Sequence, residues 1–141
     1  MSIIQAIIGW IISIILILIC YRSFGEKIRN LFSFYKTISE YEFMADGITT
    51  KLIVSFLVMS DLLIAIILLI PSYRVIASSI GIIVQLFYFL SMILNYNKSF
   101  VNNCECFSFN APKQIDFRAI AINLVLIFLY ISLLLLLLLN K

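Results

Sequence analysis

Apolar residues dominate four stretches of the chain, 3–20, 52–70, 75–96 and 119–139, and polar residues collect between them. Each stretch has about the 20 residues that a helix needs to cross a hydrocarbon core roughly 30 Å thick. The pattern predicts an all-α integral membrane four-helix bundle, with residues 1–141 forming a single transmembrane domain. An even number of crossings puts the two termini and the short turn 71–74 on one side of the membrane. The long connections 21–51 and 97–118 then share the other side. Pro71 follows directly on the second stretch and is a normal helix stop, so the second and third spans should form an antiparallel hairpin.

Segment 26–43 has its own period. Ile28, Leu31, Phe32, Tyr35 and Ile38, and then Phe34, Ile38 and Tyr41, recur at helical spacing among Lys27, Arg29, Lys36, Glu40 and Glu42. That pattern predicts an amphipathic helix between spans one and two. It fits a helix lying at the membrane interface and equally a helix packed as a cap on the bundle. The second connection, 97–118, is rich in Asn and turn residues and carries Cys104-Glu105-Cys106-Phe107, the one concentration of reactive side chains.

Composition sharpens this picture by exclusion. The chain is 64% hydrophobic and 12% charged, against about 45–50% and 25% for soluble domains, and its mean hydropathy is +1.16. A water-soluble globular domain is excluded. The net charge of +3 comes from 10 basic and 7 acidic residues. The basic residues are scattered through the connections, which argues against a nucleic-acid partner and leaves the lipid bilayer as the evident one. The absence of His removes imidazole metal sites and the usual Ser-His and Cys-His nucleophile pairs. Met1-Ser2 supplies no basic residue and no small-x-small site follows 17–20, so the first stretch reads as a retained span and not as a signal peptide.

Asp61 is the one charged residue inside the four stretches, near the middle of the second. A central Asp costs about 2.5–3.5 kcal/mol of insertion, outweighed by many Leu, Ile, Val and Phe at roughly 0.3–0.6 kcal/mol each. A carboxyl at this depth is a functional candidate, and if neutral it needs a hydrogen-bond partner. Gln85, mid-span in the neighbouring antiparallel helix, is the expected partner of a protonated Asp61. A role in register and a role in proton relay or cofactor contact both remain open for this polar pair.

Cys104 and Cys106, one residue apart, can close a very small and readily reduced disulfide ring, which suits exchange better than stapling. Two thiolates are half a tetrahedral zinc site, and no His completes it, so no metal is expected. Glu105 between the thiols disfavours the thiolate form, and two ordinary loop cysteines are the alternative. Cys20, at the end of the first apolar stretch, is either a third thiol for that pair or a small apolar filler.

Taken together these residues resemble the MauE/DoxX-like group of small redox-associated four-span membrane proteins, the methylamine utilisation MauE type among them. The likeness rests on Lys27 after the first span with Phe34 and Tyr41 spaced behind it, and on Asp61 four positions before the small Ala65. The Cys104-Glu105-Cys106-Phe107-Ser108 loop and Asn123 in the fourth span complete it, so it covers nearly the whole chain. Glu105 and Ser108 stand where the family loop has glycines, Asp61 where Glu is usual, and Ile122 where Arg is common. The resemblance implies thiol-disulfide exchange or maturation of exported proteins, with Cys104 and Cys106 as catalytic residues and a thioredoxin-like partner. It extends to the four-helix quinone-linked disulfide oxidases, whose second cysteine pair is missing here. No cofactor is evident, and a quinone is unsupported by the sequence.

The leading expectation is therefore a multi-pass protein of the cell membrane, the bacterial cytoplasmic membrane in kind, that takes part in thiol-disulfide exchange. The alternative is a non-enzymatic accessory or immunity protein that scaffolds or sequesters a partner. A carrier built on Asp61 alone has no visible path across the bilayer. The charge bias places the side with the Cys-x-Cys loop in the cytoplasm, whereas maturation of exported proteins would place it outside, where disulfides persist.

Overall fold

A regular alternation of small and large residues decides how the first helix packs. In a computed structural model, which describes residues 3–41, 47–99 and 114–139, helix α1 runs Ile3–Arg29 and buries Gly9, Ser13, Leu16, Cys20, Ser23 and Lys27. Those positions follow each other at alternating steps of four and three, the seam by which two helices pack side by side. The seam continues past the apolar stretch that ends at Cys20 and carries Ser23 and Lys27 into the protein. At 1.5 Å per residue the 27-residue helix is about 40 Å long, roughly 10 Å more than the hydrocarbon core requires.

The remaining spans are α3 (Ile48–Leu69), α4 (Arg74–Leu94) and α5 (Phe117–Leu138), with the short helix α2 (Leu31–Ser39) after the first span. Among the described residues four helices are long and apolar enough to cross a membrane, as the hydropathy pattern predicted. A single 3-10 turn, Pro71–Tyr73, joins α3 to α4. The chain thus makes the expected hairpin. Around the bundle the order is α1, α3, α4, α5 and back to α1, and across the diagonal α1 and α4 meet only through long side chains among the described residues, Lys27 with Tyr88 and Trp10 with Arg74. All four long helices are therefore sequential neighbours in an up-down arrangement.

Outward-facing positions stay apolar: Phe56, Ile83, Val125 and Phe128 are all largely exposed. Such a surface suits lipid and no aqueous solvent. Inside, Ala77, Ser78 and Gly81 on α4 are buried together with Tyr88 and Met92, so the helix is thin at its start and thick towards its end. Serines in the spans return their hydroxyls to the backbone one turn earlier, as Ser13 does to Gly9 and Ser78 to Arg74. This satisfies them where no water is at hand.

Helix α2 packs one face on the bundle and leaves the other outward. Phe34, Thr37, Ile38 and then Tyr41 are buried, while Ile28, Leu31 and Phe32 remain exposed. The buried row packs on α3 and touches α1, and the other apolar row faces outward at the level where α3 begins. Residues 26–29 belong to α1, so the predicted single helix is broken at Asn30.

Candidate functional site

A buried ammonium group organises the half of the bundle that carries both long connections. Lys27 is 1% exposed, and its Nζ donates to Asp61 Oδ2 at 2.6 Å and to the Tyr88 hydroxyl at 2.9 Å. Ser23 Oγ donates to the same carboxylate oxygen at 2.8 Å. The ammonium also stands 5.2 Å from the centre of the Phe34 ring and 5.0 Å from that of Tyr88, within cation–π range. Four elements meet at one charge: α1 through Ser23 and Lys27, α2 through Phe34, α3 through Asp61 and α4 through Tyr88.

Low dielectric strengthens both the attraction within such a pair and the cost of separating it. Asp61 is satisfied by an ion pair and a hydroxyl, and this corrects the expected partner. Gln85 is buried on α4, but its Oε1 has no hydrogen bond among the described residues. Depth alone made Gln85 plausible. The rotation of α4 instead turns Tyr88, three residues on, towards the charged pair, and the extension of α1 supplies the cation that the hydropathy boundary left outside.

Next to this cluster lies the described thiol. Cys20 is free and buried, its Sγ 3.2 Å from the Tyr130 hydroxyl of α5. It sits well inside α1 and not at a helix end. The Tyr130 ring rests on Gly81: a Cβ there would come within 2.3 Å of the ring. A glycine at this point lets α4 and α5 close on each other with an aromatic ring between them.

Tyr41, just past the end of α2, borders the cluster at Tyr88. Its side chain is 1% exposed, and burial, with the neighbouring Tyr88 adding to it, holds its phenol above the ordinary value of 10.0. Asn123 on α5 is fully buried. Lys27, Phe34, Tyr41 and Asp61, which the sequence linked only through a resemblance, thus come together in space. Ser23, Tyr88 and Tyr130 were not anticipated. The 4-3 seam of α1 was the signal that would have found Ser23 and moved Lys27 indoors.

The connection that carries the sequence-predicted cysteines is tied at its base. Ser99 bridges Gln114 in antiparallel fashion, with Asn97 N–H donating to Ile115 O at 2.9 Å and Ile115 N–H to Lys98 O at 3.1 Å. Lys98 Nζ donates to the backbone carbonyl of Glu40 at the end of α2. Asp116 then caps α5 by accepting from Ala119 N–H at 2.9 Å. Cys104 and Cys106 themselves lie outside the described residues. Among the described residues no group of His, Cys, Asp and Glu side chains could hold a metal.

The family model described as "Methylamine utilisation protein MauE" matches residues 5–139. No curated protein and no solved structure matches the chain.

Proposed function

The chain belongs to the MauE family, and from that premise we propose that it is a cell-membrane component of thiol-disulfide exchange that acts through Cys104 and Cys106 on a thioredoxin-like partner in the maturation of exported proteins. The observation that supports this reading is the closed base of the second connection. Ser99 and Gln114 bring its two ends together, and Lys98 fastens that base to α2. The Cys-x-Cys segment between them therefore starts and ends at one fixed point on the end of the bundle that is pinned by Lys27 and Asp61.

The exchange is a reversible two-electron transfer. One thiolate of the pair attacks a sulfur of the partner's disulfide; that S–S bond breaks, a mixed disulfide forms, and the released partner thiolate takes up a proton. The second cysteine then attacks the sulfur of the first, forming the Cys104–Cys106 bond and freeing the partner's other thiolate. The partner is reduced and the pair oxidised; the same steps in reverse oxidise the partner.

Removing one cysteine strands the mixed intermediate that the other resolves. Membranes from cells carrying Cys104→Ser or Cys106→Ser, alkylated at harvest and run without reductant, should show a reductant-sensitive adduct in one of the two. The adduct should vanish in the double variant. Complete alkylation of both thiols in the wild type under oxidising growth, with full function in the double variant, would replace this reading by that of an accessory scaffold.

A further inference from the structure

The groove between α2 and the first turns of α3 has features that neither the ion-paired core nor the cysteine loop uses. It is about 610 Å³ in volume and is bordered by Lys36 and Tyr35 on α2 and by Lys51, Val54 and Ser55 on α3. Neither lysine side chain makes an ion pair or hydrogen bond among the described residues, although Lys36 Nζ stands 5.9 Å from the Phe32 ring centre and 6.0 Å from that of Tyr35. Two cations thus face one cleft with no described carboxylate between them. A second groove at the same end, beside Arg22, differs in this respect, because Arg22 is already paired to Glu26 at 3.1 Å.

Position adds a second, independent argument. Lys51 lies in the first turn of α3, where a membrane-spanning helix leaves the hydrocarbon, and Ser55, Met59 and Leu63 follow it at steps of four down one face. Met59 and Leu63 on that row are about half exposed, so an apolar track runs from the cation pair towards the bilayer centre. A phosphate between Lys36 and Lys51 with acyl chains along this track satisfies both halves of the surface, and a free anion would satisfy one.

We propose that the groove formed by α2 and α3 is a binding site for an anionic phospholipid, its phosphate held by Lys36 and Lys51 and its acyl chains lying on the Ser55–Met59–Leu63 face. This site is separate from the thiol chemistry, and neither reading depends on the other.

The test uses the full chain in a neutral detergent, titrated with dioleoylphosphatidylglycerol or dioleoylphosphatidylcholine and read by native mass spectrometry. The wild type should retain the anionic lipid in preference to the zwitterionic one. Lys36→Gln with Lys51→Gln should weaken retention about 25-fold, since each basic residue near an anionic group contributes about fivefold. Arg118→Gln, which removes a charge from the same end of the bundle, should leave it unchanged. Ser55→Phe fills the groove with both charges in place and should also abolish retention. The Lys36→Arg, Lys51→Arg pair should preserve it. Equal retention of the two lipids, loss in Arg118→Gln as large as in the double Gln variant, or full retention in Ser55→Phe would each overturn the proposal. Displacement of the lipid by millimolar inorganic phosphate would do so as well, by making the groove a free-anion site.

Discussion

The two halves of the bundle hold their helices together by different means. Towards the connections, α1, α2, α3 and α4 converge on one buried ion pair, with Lys27 Nζ 2.6 Å from Asp61 and Ser23, Tyr88 and Phe34 around it. In the other half no such pair is present among the described residues, and the buried positions are mostly small, Ser13, Ala77, Ser78 and Gly81, with the Tyr130 ring against Gly81. At that end the charged group Arg74 lies at the membrane boundary, its guanidinium 3.6 Å from the centre of the Trp10 ring and its Nε donating to Leu68 O. Lipid tails are as apolar as leucine, so burial alone does not drive helices together. One half gains its specificity from a polar network, the other from small residues that admit a large neighbour, as Gly81 admits the Tyr130 ring. Chemistry that needs a fixed platform is better served by the first, and both long connections leave from it.

The largest effect should come from breaking the pair. Asp61→Leu leaves the Lys27 ammonium buried without its counter-ion and should cost about 3–5 kcal/mol of stability. Asp61→Asn should cost nearly as much, because an amide restores the shape without the charge. Unfolding of the purified protein in lipid nanodiscs, followed by circular dichroism, measures both. A neutral hydrogen bond at Asp61 would instead leave the Asn variant close to the wild type.

In the small-residue half, Gly81→Ala is the corresponding break. The new methyl would meet the Tyr130 ring, which is 1% exposed and has no room to retreat. Overpacking of this kind costs about 1–3 kcal/mol. Because Tyr130 also contacts Cys20, the Cys20 thiol should alkylate faster in this variant. An unchanged alkylation rate would show that the two halves are uncoupled.

How much of this was legible in the sequence follows the same division. The spans were, because four long apolar stretches admit few alternatives in a bilayer. The hairpin at Pro71 was as well. The extent of α1 was not, since hydropathy falls after Cys20 while the packing seam continues to Lys27. That residue looked like part of the polar face of the next segment, although its position on the seam marked it as internal. Gln85 illustrates a second limit: depth can be counted along a span, but rotation about the helix axis is set by neighbours. Asp61 stood out as the one charge inside the apolar stretches, and Phe34 and Tyr41 by helical spacing; that Asp61 and Phe34 lie against Lys27 and that Tyr41 neighbours Tyr88 was legible in neither. The roles of Cys104 and Cys106 rest on the sequence and the resemblance, since they lie outside the described residues.

A smaller effect concerns pH and sharpens the boundary between the platform and water. Burial raises the Tyr41 phenol above 10.0, so the native state binds that proton more tightly than the unfolded chain. The stabilisation is fully present below about pH 10 and is lost as the pH rises through the native value. The Tyr41→Phe variant should therefore keep its melting temperature to higher alkalinity than the wild type. Parallel pH curves for the two proteins would remove Tyr41 from the platform.

The central claim, that Lys27 and Asp61 act as one unit holding the connection-bearing end, is tested most directly by a double-mutant cycle on Lys27→Met and Asp61→Leu in nanodiscs. Each single change strands a buried charge, whereas the double change replaces the pair by apolar groups of similar size. The double variant should be more stable than either single one, with a coupling energy above about 3 kcal/mol, since it then exceeds the cost of either single change. Losses that simply add in the double variant would contradict the claim.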